Sequence, residues 1–139
     1  MISLFYETDF ILEKESILKN WIETSIKEEG YATKELNYIF CTDEYLLDIN
    51  IRHLQHDYYT DVIGFQYTHG KQLSGDIYIS IDRINENAII HEVSFEKELA
   101  RVMIHGVLHF MEYKDKTEED AKKMRKAEDK YLNKLTEIN

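Results

Sequence analysis

A chain of 139 residues with 43% hydrophobic and 32% charged side chains reads as one soluble globular domain spanning 1–139. Its composition, with no proline and only 5 glycines, excludes proline-rich linkers and glycine-rich flexible segments, and a single cysteine excludes an internal disulfide. A net charge of −10 argues, by its total alone, against a polyanionic partner.

The first element is a strand at Ile2–Tyr6, short, β-branched and aromatic. Glu7 follows at once with no basic leader, and no stretch approaches the roughly 20 apolar residues of a membrane helix. With one cysteine, this gives the cytoplasm as the expected location. Ile17, Leu18, Trp21, Ile22 and Ile26 repeat at helical spacing within Glu13–Glu29, and Gly30 is placed to end that helix. Alternation returns over Glu35–Cys41, followed by Thr42 as the N-cap of a helix from Asp43 to about Arg52, whose inner side carries Leu46, Leu47, Ile49 and Ile51. His53–Asp61 reads as loop. Val62–Tyr67 and Asp76–Ile81 read as strands joined through Thr68-His69-Gly70-Lys71, as a hairpin or a loose loop.

The second half is helical. A weak helix is expected over Asp82–Ile90, then a strong one capped by Ser94 and running from Phe95 to about Tyr113, with Leu99, Val102, Met103, Val107, Phe110 and Met111 near the core. Thr117-Glu118-Glu119-Asp120 resembles a capping box and opens a last helix to about Leu135. The fold class is therefore α+β: one small mixed sheet of about four strands with helices packed against it.

Chemistry concentrates where the strong helix ends. His105 and His109 are four apart, so both imidazoles leave one helix face and can share an ion. Asp115 joins them if the helix breaks between Glu112 and Lys114. Two nitrogens and one oxygen with a fourth position open is the layout of a catalytic zinc site; nickel, cobalt or iron also suits these donors. Gly106 costs a helix interior about 1 kcal/mol and so predicts close packing against another backbone. It also stands where zinc peptidases of the H-E-x-x-H type carry their general base, which counts against a peptidase.

Three ordered motifs extend the pattern: Thr60-Asp61-Val62-Ile63-Gly64-Phe65, Gly75-Asp76-Ile77-Tyr78-Ile79 and His105-Gly106-Val107-Leu108-His109, with Met124 and Glu128 downstream. Together they resemble the YbeY family, single-domain bacterial endoribonucleases of rRNA maturation, over about residues 46–131. The resemblance implies a zinc-dependent, single-strand-specific endoribonuclease with one ion per chain, held by His105, His109 and, in place of the family's last histidine, Asp115. It further implies rRNA precursors as substrate (16S 3′-end processing and ribosome quality control), with the ribosome or small subunit as partner and neither membrane nor DNA. Two positions depart from the family: Tyr59 replaces a proline, and Leu54 replaces a substrate-facing arginine. Arg52 is the nearest substitute for that arginine, and no general base can be named.

The basic side chains cluster late, at Lys114, Lys116, Lys122, Lys123, Arg125, Lys126, Lys130 and Lys134. Such a run is either a solvated helix face or a phosphate track. On the second reading Lys114 and Lys116 hold the phosphates beside Asp115, with Asp61 lining the cleft. Two alternatives stay open: a ribosome-assembly binding module whose metal is structural, and a zinc peptidase.

Overall fold

The computed structural model describes residues 1–138, with side chains through Leu135. Alternating β-branched and aromatic residues build four strands: β1 (Ile2–Tyr6), β2 (Ala32–Cys41), β3 (Val62–Gln66) and β4 (Gln72–Ser80). They form one mixed sheet in the order β1-β2-β4-β3, with β1 and β4 parallel to β2 and β3 antiparallel to β4. The β3–β4 connection is a tight hairpin, closed by a His69–Gln72 bridge and by Gly70 in the left-handed region.

Helices α1 (Glu15–Glu28), α3 (Ile81–Ile90), α4 (Phe95–Phe110) and α5 (Glu118–Ile138) cover one face of the sheet. There Leu36, Tyr38 and Phe40 of β2 and Ile77 and Ile79 of β4 meet Trp21, Ile26, Ile84, Met103, Val107 and Tyr131. Helix α2 (Asp43–Leu54) lies on the opposite face, where Leu46 packs with Cys41 and Ile63. Burial pushes the Cys41 thiol up to about 12, so it behaves as a small core hydrophobe.

Three helix starts are capped at the expected residues: Thr42 accepts from Tyr45 N, Ser94 from Lys97 N and Thr117 from Asp120 N. Strands β2 and β4 begin earlier than the sequence predicts, at Ala32 and Gln72. The added residues are mostly polar and pair with one another across a bulge between Thr33 and Glu35, so no apolar alternation marks them. Helix α2 runs two residues further, to Leu54, and Ile51 lies on its exposed side rather than its inner one. Helix α4 stops at Phe110, three residues short of Tyr113.

Glycine sets how closely α4 approaches the sheet. A Cβ on Gly106 would lie 2.9 Å from Ile77 Cδ1. The close contact is thus with a β4 side chain, not with a neighbouring backbone as the sequence suggests. At the end of α4 the Phe110 ring fills the space above Gly64 and Gly75, where added Cβ atoms would lie 2.9 and 2.6 Å from it. At Gly75 the Phe65 carbonyl oxygen also stands at 2.6 Å, and backbone cannot step aside. Gly75→Ala should therefore destabilise the protein by about 2 kcal/mol in urea unfolding, as overpacked core sites do. An unchanged midpoint would show that α4 has freedom to lift.

Candidate metal centre

His105 and His109 project from the last two turns of α4, their ring centroids 4.5 Å apart and their planes nearly perpendicular. The helix then closes with a Schellman motif: Tyr113 N donates to Leu108 O at 3.0 Å, Glu112 N donates to His109 O at 3.1 Å, and Glu112 takes the left-handed conformation. This reversal turns the chain back and brings Asp115 over the helix end. Asp115 Oδ2 lies 3.3 Å from His109 Nε2 and 3.8 Å from His105 Nε2. One ligand atom from each of the three residues falls within 4.8 Å of the others, and this is the one such group among the described residues.

The far sides of both rings are fixed. His109 Nδ1 is 3.0 Å from Tyr113 O, and His105 Nδ1 is 2.6 Å from Glu128 Oε2 on α5. A carbonyl and an ionised carboxylate can only accept, so both Nδ1 atoms carry a proton, and in the neutral imidazoles this leaves the Nε2 lone pairs on the Asp115 side. This is the arrangement that holds imidazole ligands on a metal. Glu128 is itself gripped by Arg101, whose Nη1 donates to Oε1 at 2.7 Å while Nη2 reaches Asp129 at 2.9 Å.

The electrostatics follow from these contacts. Burial works against a charged His105, but the Glu128 hydrogen bond and charge, with Asp115 and Asp61 behind them, outweigh it and raise its pKa. Burial likewise works against ionised Glu128, and its bonds to His105 and Arg101 outweigh that and lower its pKa. The donor set and its fixed tautomers suit a divalent ion of the zinc class.

The centre forms one wall of a cleft of about 470 Å³ between α4 and the edge strand β3. Thr60, Asp61, Val62, Gly64 and Gln66 line the opposite wall, with Gln66 Nε2 donating to Phe110 O at 3.0 Å. Asp61 thus faces the metal group without joining it, and burial is the main cause that pushes its carboxyl above the ordinary range. Lys114 and Lys116 flank Asp115 on the exposed turn. Arg52 is placed elsewhere: it sits on α2, across the sheet, with Nε 3.0 Å from Asp48. Leu54, also on α2, is 39% exposed. Asp76 is turned to that same face and pairs with Asn37 Nδ2 at 2.9 Å.

Sequence reasoning did not find the supporting roles of Glu128, Arg101 and the Tyr113 carbonyl. Arg101 and His105 are four apart on one helix, but nothing in the spacing reveals that α5 delivers a carboxylate between them.

Fold and site together define a small α+β protein with an open His-His-Asp centre beside a sheet-edge cleft. The family model described as Endoribonuclease YbeY matches residues 7–136. Endoribonuclease YbeY of Flavobacterium psychrophilum is 52% identical over 132 residues, covering 95% of this chain and 94% of that protein. The Flavobacterium johnsoniae protein of the same name is 48% identical, covering 95% of each chain. A solution structure of a Thermotoga maritima protein superposes with a TM-score of 0.70 at 27% identity, covering 97% of this chain and 89% of that one. The chain belongs to the YbeY endoribonuclease family. No helix among the described residues is long and apolar enough to cross a membrane.

Removing the Glu128 charge tests the support of the metal group. Glu128→Gln should stay folded yet bind zinc about 10- to 100-fold more weakly in competition with a chromophoric chelator. Unchanged affinity would mean that Glu128 only packs α5 onto α4.

Proposed function

We propose that this chain is a zinc-dependent endoribonuclease that cuts single-stranded RNA, working as one domain in the cytoplasm. Its proposed substrates are rRNA precursors on or near the small ribosomal subunit, in 16S 3′-end processing and ribosome quality control. The observation that carries the reading is the open three-donor group of His105, His109 and Asp115 on the wall of a cleft that has Asp61 opposite. The shared name of the Flavobacterium relatives supports the reaction class.

A divalent ion held by His105, His109 and Asp115 would supply Lewis acidity toward a phosphoryl oxygen and toward the attacking water. The protein's own residues supply the rest. Lys114 and Lys116, on the turn that carries Asp115, hold the phosphates on either side of the cut, and Lys122, Lys123 and Lys126 continue the positive run along α5. Asp61 accepts a proton from the attacking water at its carboxylate as the water oxygen bonds to phosphorus, the phosphorus–ribose oxygen bond breaks, and the departing ribose oxygen takes a proton from solvent. A peptidase is disfavoured because position 106 points at Ile77 and has no room for a carboxylate base.

Asp61 serves as a base only when ionised, so cleavage should slow as the pH falls through its raised pKa. On a fluorescent single-stranded RNA, Asp61→Asn should lower kcat about 100-fold or more and abolish that acid limb, with zinc content unchanged. A variant that keeps the wild-type rate and profile would remove Asp61 from the chemistry.

A further inference from the structure

The loop between α2 and β3, whose last residues line the cleft, holds two aromatic rings in the open. His56 and Tyr58 stack with centroids 5.2 Å apart and planes 19° apart, and the Tyr58 hydroxyl lies 3.0 Å from His56 Nδ1. Tyr58 is 55% exposed. The loop beneath the rings is nevertheless well anchored. Asn50, only 2% exposed, accepts from His56 N at 3.0 Å at its backbone carbonyl and donates from its side-chain Nδ2 to Tyr58 O at 2.8 Å. Tyr59 donates to Glu44 at 2.8 Å, and Arg83 lies 5.4 Å from the Tyr59 ring centre. A buried amide committed to a surface loop leaves the ring pair with little freedom to lose on binding.

Position and charge indicate what the pair faces. Thr60 and Asp61, two and three residues beyond Tyr58, line the cleft. Three residues of chain span at most about 11 Å, so the Tyr58 backbone stands within that distance of Asp61 on the cleft wall. Asp57, exposed between the two rings in sequence, disfavours a phosphate there, while an aromatic face accepts a base of any identity. Building on the endoribonuclease reading, we propose that His56 and Tyr58 form a stacking seat for one unpaired base of the RNA strand flanking the cleft.

The test compares the zinc-loaded wild type with Tyr58→Ala and Tyr58→Phe, checked by circular dichroism, on a single-stranded RNA oligomer and a series carrying one abasic nucleotide at each position in turn. Tyr58→Ala should raise KM roughly 5- to 150-fold with kcat little changed, the worth of one base–aromatic stack. Tyr58→Phe should restore wild-type KM. One abasic position should cost the wild type a similar factor and cost Tyr58→Ala nothing further. Unchanged KM in Tyr58→Ala with RNA still cleaved would overturn the seat alone and leave the ring pair to a protein partner. Equal loss in Tyr58→Phe would assign the effect to the hydroxyl–His56 bond and overturn stacking. A wild type that cleaves no RNA would overturn the endoribonuclease reading, and the seat with it.

Discussion

The seating of α4 on the sheet is the constraint on which the rest depends. Gly106 lets the helix settle on Ile77, and Gly64 and Gly75 make the recess that receives Phe110. With the helix held there, His105 and His109 stand over the edge strand β3 and face Thr60 and Asp61 across a cleft. Larger residues at the glycine positions would lift the helix and separate the imidazoles from the opposite wall.

The stop of α4 is the second determinant. The Schellman turn satisfies the last carbonyls, returns the chain so that Asp115 meets both Nε2 atoms, and offers the Tyr113 carbonyl to His109 Nδ1. One local turn therefore terminates a helix, brings Asp115 to the two imidazoles and orients one of them. The remaining imidazole is oriented from a distance, by Glu128 of α5 under the grip of Arg101. Helix packing and the geometry of the candidate site are thus coupled: movement of α5 against α4 would release His105.

Much of this was legible in the sequence. Element order and the capping residues Thr42, Ser94 and Thr117 follow from periodicity and local hydrogen-bonding chemistry, as does a break before Asp115, although α4 ends three residues sooner than its apolar spacing suggests. The grouping of His105, His109 and Asp115 follows from spacing and that break. Other features depend on tertiary contacts that no local pattern encodes. The polar starts of β2 and β4 are strands because they pair with one another, and the target of Gly106 is a side chain from a distant strand. Arg52 looks suitably near the cleft in sequence, yet α2 carries it to the other face of the sheet. Glu128 stands out only as a motif residue until α5 is folded against α4.

The central claim is that His105, His109 and Asp115 form an open site on a scaffold that folds without the ion. It is tested most directly by elemental analysis of protein purified without chelator or affinity metal, wild type beside His109→Ala, with circular dichroism on both. The account predicts about one zinc-class ion per chain in the wild type and none in a variant with an unchanged spectrum. No ion in the wild type after zinc is offered back would contradict the site. An unfolded variant would contradict its openness and make the ion structural.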